Sequence, residues 1–316
     1  MAKVDILLAT YNGEEFIAEQ LDSILAQSFK DFRILIRDDG SSDNTLKIIQ
    51  SYAEKFPGVI KIIQDSAICK HPTKNFLHIM QYATADYVMF SDQDDYWRPY
   101  KIQISLDSIQ AAEKKSPGKP VLIFSGIELT DKNLEPLNRI GNELTEREEY
   151  KNFSRVILGN CVTGCSMIVN KALYEKIGDY DDCMTGRCYH DHWLAMFACG
   201  CGVIEYLPMS MILHRIHGKN HSDYGEPNTA RDIILKPFKK FSSSKKTFFD
   251  LHSWALLFKK RYERFMYPEK LKELENYLGL FDKNLLVRLK SFRKLNKTVN
   301  PSIREKFLWF GRIFLF

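Results

Sequence analysis

The sequence contains no run of about 18 consecutive apolar residues, so no transmembrane helix is expected. Its opening, Met1-Ala2-Lys3-Val4-Asp5, enters a strand at once and lacks the apolar core of a secretory leader. It also lacks zinc-type cysteine pairs, since Cys161/Cys165 and Cys199/Cys201 have the wrong spacing. The seven cysteines are odd in number and irregularly placed, which argues against a complete disulfide framework and for a reducing compartment. A cytoplasmic protein is the expectation. No Gly-rich basic loop follows the first strand, where the chain reads Ala9-Thr10-Tyr11-Asn12-Gly13-Glu14-Glu15. That counts against a sugar-nucleotide nucleotidyltransferase, which normally needs such a loop. No zinc or RNP signature accompanies the basic C-terminal stretch, so no nucleic-acid partner is expected. Internal repeats are absent as well.

What is present is uneven in charge. The net charge of +5 combines 21 Lys/Arg against 8 Asp/Glu from Arg231 to Phe316 with 24 against 32 in the first 230 residues. An acidic body with a basic tail suggests two parts with different partners. The composition shift near residues 222–230 predicts a catalytic domain over 1–225 and a basic helical region over 226–316. The chain's end, Lys306 to Phe316, is too short to span a bilayer. It is aromatic and basic enough to lie on an anionic membrane surface, such as the inner face of the plasma membrane. The alternative is a helix packing on the body or, in an oligomer, on another subunit.

Along the first half, short apolar runs alternate with amphipathic stretches. Val4–Ala9, Phe32–Ile36, Val59–Ile63 and Tyr87–Phe90 read as strands. Helices are predicted over Glu14–Gln27, from a Ser42 or Asp43 cap to about Lys55, and from Thr73 to Tyr82. This alternation predicts an α/β fold with a doubly wound, mainly parallel sheet. Further strands are expected at Val121–Glu128, Cys165–Val169, Val203–Leu207 and Met211–His214, with a helix over His192–Cys199. In doubly wound sheets, ligands bind beyond the carboxyl ends of the strands. Three polar motifs fall there: Thr10-Tyr11-Asn12, Asp38-Asp39-Gly40 and Asp92-Gln93-Asp94.

The stretch Ser91-Asp92-Gln93-Asp94-Asp95-Tyr96-Trp97 follows the strand expected at Tyr87–Phe90, which reads as buried. Carboxylates there are costly unless something cationic meets them. They suit Mg²⁺ or Mn²⁺ carrying a diphosphate. The other reading is a polar loop that caps the helix starting near Pro99.

Taken together, Ala9-Thr10-Tyr11-Asn12-Gly13, Asp38-Asp39-Gly40-Ser41-Ser42-Asp43, Asp92-Gln93-Asp94 and Asp191 in His190-Asp191-His192-Trp193 resemble the GT-A type glycosyltransferases of family 2. The resemblance covers roughly Lys3 to Asn220. Asp92-Gln93-Asp94-Asp95-Tyr96-Trp97, Val162-Thr163-Gly164-Cys165-Ser166 and His214-Arg215-Ile216-His217-Gly218-Lys219-Asn220 are similar to bacterial rhamnosyltransferases of cell-wall or O-antigen polysaccharide synthesis. Two departures stand out. Asp65 to Pro72 replaces the Asn-x-Gly segment of many relatives, and His214 replaces their usual Tyr or Phe.

The resemblance implies inverting transfer from a nucleotide sugar to a saccharide hydroxyl. The favoured donor is dTDP-L-rhamnose, with a UDP-hexose or UDP-N-acetylhexosamine as the runner-up, and a lipid-linked saccharide is among the acceptors it implies. It implies Asp39 on the pyrimidine N3–H, Asp92 at the ribose or metal shell, and Asp94 on Mn²⁺ or Mg²⁺. Thr10 and Tyr11 can bond to or stack on the base. Lys74 is a candidate diphosphate contact, or simply an exposed helical lysine. His217 is a candidate metal ligand, with His214 behind it. Asp191 is the candidate general base, or a helix cap through Trp193. Trp97, Trp193 and Gly164 are acceptor-side candidates. For the tryptophans the alternative is core packing, and for the glycine a turn.

Overall fold

The computed structural model describes residues 2–65, 69–141, 148–177, 189–217 and 250–299. Strand β1 (Val4–Thr10), helix α1 (Ile17–Leu25), β2 (Phe32–Asp38), α2 (Thr45–Lys55), β3 (Ile60–Ile62), α3 (Pro72–Met80) and β4 (Tyr87–Ser91) follow the expected alternation. Then come β5 (Tyr96–Trp97), α4 (Lys101–Lys115), β6 (Val121–Thr130), β7 (Pro136–Gly141), α5 (Phe153–Leu158), β8 (Met167–Asn170), α6 (Lys171–Ile177), α7 (His190–Cys201) and β9 (Val203–Arg215). A helix described over 250–262 (α8) precedes α9 (Pro268–Leu278) and α10 (Leu285–Val299).

One nine-stranded sheet runs β3-β2-β1-β4-β8-β6-β9-β5, with β7 on β6. Its first four strands are parallel, and the order reverses between β1 and β4. That reversal is the switch point where doubly wound sheets bind ligands. Beyond β4 the sheet is mixed: β8 is antiparallel to both β4 and β6, while β6 and β9 are parallel.

Strand side chains alternate between two cores, as a period of two requires. Val4, Ile6 and Leu8 pack in one core, under α1, α2 and α4. Leu7, Leu35, Val88 and Phe90 pack in the other, with α3, α5 and α7. Trp254, Phe258 and Tyr262 of α8, Tyr277 of α9 and Leu295 of α10 lie in this second core too.

The two strands expected over Val203–Leu207 and Met211–His214 are one strand. Its register against β6 jumps from Ser125↔Leu207 to Gly126↔Ser210. Pro208 has no N–H for the ladder, so a bulge absorbs it. Helix α2 has Asn44 rather than Ser42 or Asp43 at its cap position, although Asp43 Oδ1 accepts the Thr45 N–H at 3.0 Å. Strands β6 and β7 form a hairpin that turns between Thr130 and Pro136. The domain boundary near 222–230 and the tail from Lys306 to Phe316 lie outside the described residues. Among the described residues, no helix is long and apolar enough to cross a membrane.

Candidate functional site

A cavity of about 1090 Å³ opens at the carboxyl ends of β1, β2 and β4. Thr10, Tyr11, Asp39, Asp92, Asp94, Gly164, Asp191 and His217 all line it, so eight of the eleven sequence-predicted site residues meet in one place.

The three strand-end loops are tied to one another by short polar side chains. Gln93 grips the backbone of Tyr11 twice: its Oε1 accepts the Tyr11 N–H at 2.8 Å, and its Nε2 donates to the Tyr11 carbonyl at 3.0 Å. Gly13 must be glycine for this grip, because a Cβ there would sit 2.3 Å from Gln93 Oε1. Asn12 adopts a left-handed backbone (φ 47°), which asparagine tolerates. Its side-chain oxygen accepts the Ser42 N–H at 2.8 Å, and its own N–H donates to Ser41 Oγ. Tyr11 remains 58% exposed, available to stack on a planar ring.

The two aspartates after β2 have different tasks. Asp38 accepts from Thr10 Oγ1, the Gly40 N–H and the Ser41 N–H, so it builds the turn. Asp39 is buried at the cavity floor. Its Oδ1 accepts from the Cys69 N–H at 2.7 Å and from Arg37 Nη1 at 3.2 Å. Oδ2 has no hydrogen bond among the described residues. Arg37, itself buried, also donates to Asp65 at 2.9 Å and to Asn75 at 2.9 Å. Burial disfavours its charge, but the bonds to Asp65 outweigh burial and hold the guanidinium protonated.

The acidic loop after β4 is braced from β9. Arg215 donates through Nε to the Asp94 carbonyl at 2.9 Å and stacks over Phe16. His217 Nε2 lies 2.8 Å from Asp94 Oδ2. That bond is the main reason the His217 pKa is raised, against the effect of burial. Asp92 is half-buried beside two other carboxylates. Burial first, then Asp95 and Asp94, push its pKa well above the usual carboxylate range. A divalent cation would relieve this crowding. Asp92, Asp94 and His217 on one wall offer the oxygen and imidazole donors that Mn²⁺ or Mg²⁺ accept.

Asp95 and Cys165, behind this wall, and His214, at the cavity's edge, bring one ligand atom each within 4.8 Å of one another, all buried. Asp95 and His214 are 2.8 Å apart and neutralise each other. Burial opposes both charges, but the pairing lowers the Asp95 pKa and raises that of His214 to about 9. Burial also pushes the Cys165 thiol well up, so it stays protonated. His214 is thus paired with Asp95 as His217 is with Asp94.

Opposite the acidic loop stands Asp191, at the start of α7. Its oxygens accept from the His192 N–H at 2.7 Å and the Gly164 N–H at 3.1 Å. Asp191 is a first-turn residue and not the cap of α7, a position held by Tyr189 without a side-chain capping bond. The Trp193 N–H instead bonds to the Tyr189 carbonyl. Burial raises the Asp191 pKa to about 7 despite these bonds. Gly164 is a close-approach position: a Cβ would sit 2.7 Å from His190 Nε2. The His190 ring is wedged against Phe76 and Phe90 at 4.2 and 5.2 Å and kept neutral, its pKa driven down to about 3 by burial.

Three sequence expectations are corrected. Trp193 is fully buried against Trp254, Phe258 and Tyr262 and does not line this cavity. It lies two residues after Asp191, and positions i and i+2 of a helix do not share a face. Trp97 is fully buried too, with the Lys101 ammonium 3.5 Å from its ring centroid. Lys74 does not line the cavity; the phase of α3 gives that place to Asn75 and Phe76, and the cation on the rim is Lys70. Sequence reasoning missed Arg37, Gln93 and the Asp95–His214 pair. The one available signal was a charge, Arg37, inside an otherwise apolar strand.

Residues 5–178 match the family described as glycosyl transferase family 2. RfbG, a dTDP-rhamnosyl transferase of Shigella flexneri, is 40% identical over 222 residues, covering 67% of this chain and 72% of that protein. An uncharacterised glycosyltransferase of Rickettsia prowazekii is 26% identical over 195 residues, covering 61% of this chain and 58% of the relative. The chain thus spans less than two thirds of the length of that relative and of its Rickettsia typhi counterpart. Among solved structures, Staphylococcus aureus TarS in complex with UDP aligns with a TM-score of 0.58 at 18% identity, over 98% of this chain and 78% of that one. The mannosyltransferase PcManGT from Pyrobaculum calidifontis, in complex with GDP-Man and Mn²⁺, gives 0.53 at 15% identity, over 97% and 78%. At these identities the likeness is one of fold.

Proposed function

The chain belongs to glycosyl transferase family 2, and from that premise we propose that it is a metal-dependent inverting transferase moving a sugar from a pyrimidine nucleotide to a saccharide hydroxyl. The observation that carries the proposal is the meeting of Asp39, the Asp92/Asp94 pair and Asp191 on the walls of one cavity. Each answers a different part of the chemistry.

Asp39 presents one open oxygen, which fits the single N3–H of uracil or thymine. The neighbouring Arg37 and Cys69 donors are spent on its other oxygen. Guanine would present two adjacent donors to this one open acceptor. Tyr11 offers its exposed ring to the base. Asp92, Asp94 and His217 would hold Mn²⁺ or Mg²⁺, which when bound supplies positive charge to the leaving diphosphate. Asp191 accepts the acceptor proton. Inversion by a single displacement needs one base opposite the leaving group and no enzyme nucleophile. A carboxylate raised to about 7 is matched to that work near neutral pH.

The donor we favour is dTDP-L-rhamnose, on the similarity to RfbG. A UDP-hexose or UDP-N-acetylhexosamine is the alternative, because Asp39 reads the edge that thymine and uracil share. The acceptor we favour is a growing, lipid-linked polysaccharide. The test is Mn²⁺-dependent turnover of dTDP- and UDP-sugars by the full chain. Asp94→Ala should lose about 10²–10³-fold, the scale for removing an electrostatic stabiliser. Undiminished turnover by that variant in EDTA would end the proposal.

A further inference from the structure

The exposed face of α10 combines a cationic stripe with an open apolar first turn. Leu286, Lys290, Arg293, Lys294 and Lys297 are all exposed. Their spacing of i, i+4, i+7, i+8 and i+11 places them in one stripe along the helix. Between Leu285 and Val299 there is no Asp or Glu. The nearest acid, Asp282, has its Oδ1 engaged with the Asn284 N–H ahead of the helix. The first turn is apolar and open: Leu285 is 56% exposed, Leu286 75% and Val287 38%.

The helix is fixed to the body. Ser291, Leu295 and Val299 are buried on its other side, and Asn152 Nδ2 donates to the Thr298 carbonyl at 2.9 Å. The stripe is therefore held in one orientation over a helix of about 22 Å.

We propose that this face docks on an anionic lipid bilayer, with the Leu285–Val287 turn entering the headgroup–acyl boundary and the cations meeting lipid phosphates. The chemistry selects this occupant. Three consecutive exposed aliphatic side chains gain from leaving water, and a cationic stripe gains from a negative surface. A nucleic acid would use the cations but leave the apolar turn in water, and the stripe has no aromatic ring to stack on bases. The surface stands independently of the sugar-transfer reading.

The test is co-sedimentation of the full chain with vesicles of phosphatidylcholine alone or mixed with phosphatidylglycerol. The expected result is partition into the anionic vesicles at low salt, at least tenfold weaker at high salt or on neutral vesicles. Lys290→Gln/Arg293→Gln/Lys294→Gln should lower partition by about 100-fold, at roughly fivefold per basic residue. Leu285→Ser/Leu286→Ser should lower it about tenfold and keep the salt dependence. All five positions are exposed, so an unchanged melting temperature is expected and separates docking from folding. The proposal is overturned if the wild type ignores anionic vesicles at low salt. It is equally overturned if the triple variant binds them as the wild type does, or if single-stranded RNA is bound while vesicles are not.

Discussion

The cavity wall and the layer directly behind it contain the same kinds of residue but satisfy them differently. On the wall, Asp39, Asp92, Asp94 and Asp191 line the cavity. Behind it, Asp38 spends its oxygens on a turn, and Asp95 is closed off by His214. Neighbours in one motif therefore take opposite roles, because consecutive side chains at a strand end leave in opposite directions. Access to the cavity, not motif membership, separates the candidate reacting groups from the bracing ones. If the separation is real, wall variants should lose turnover and keep the fold, and variants of the backing layer should do the reverse.

The sharpest break would come at Asp191. Asp191→Asn keeps shape but cannot take a proton. Transfer should fall about 10²–10⁴-fold while donor affinity changes little. In the wild type the base works only when ionised, so kcat should rise with pH through about 7 and then level. The variant should lose that limb. Normal transfer by Asp191→Asn, measured with saturating donor, would move the base elsewhere.

Asp95→Asn probes the layer behind. It leaves the His214 imidazole buried without its counter-charge, at a cost of about 3 kcal/mol. The His214 pKa is raised by folding, so the pair's contribution is complete below the ordinary histidine value of 6.5 and is lost as pH passes about 9. Denaturation of both proteins across that range should show the gap closing as pH rises. A constant gap would mean that Asp95 matters by shape alone.

Much of this division was legible beforehand, and the illegible part has a common cause. Strands β1 to β4 and their helices follow from periodicity, and the three strand-end motifs had to gather at one sheet edge. Whether Trp97 and Trp193 face a sugar or the core depends on the strand β9 and the helix α8 packed on them, which no local pattern reveals. Lys70 rather than Lys74 reaches the rim because His71 caps α3 and sets its phase. Arg37 finds Asp65 and Asn75 across 28 and 38 residues of chain. Pairings of that range are tertiary facts.

Asp39 tests the wall at a smaller scale. Asp39→Ala removes the oxygen offered to the base and should weaken dTDP and UDP about tenfold, the worth of one charge-assisted hydrogen bond. Calorimetry with UDP, N3-methyl-UDP and GDP sharpens it. The wild type should prefer UDP to both others by about tenfold, and the variant should bind all three alike. Equal binding of N3-methyl-UDP and UDP by the wild type would show that the base edge is not read there.

The smallest effect belongs to Lys101, deep in the backing layer. Its ammonium is buried over Trp97, has no hydrogen-bond acceptor, and is driven by burial down to about 7. The folded state therefore binds fewer protons than the unfolded chain between pH 7 and the ordinary lysine value of 10.5. Wild-type stability from this group must rise across that window, and the penalty is complete below it. Lys101→Met keeps the length and apolar stem without the charge. Replacing buried charge by a well-packed apolar group commonly gains on the order of 1 kcal/mol or more. The variant should melt a few degrees higher at pH 6 to 7, and its advantage should shrink by pH 10. Turnover should stay within about twofold, since Lys101 lines no part of the cavity. A destabilised Lys101→Met would show that the ammonium is needed where it is, as counter-charge to Asp95, and the backing layer would then have to be read as one coupled ionic cluster rather than as the single pair of Asp95 and His214.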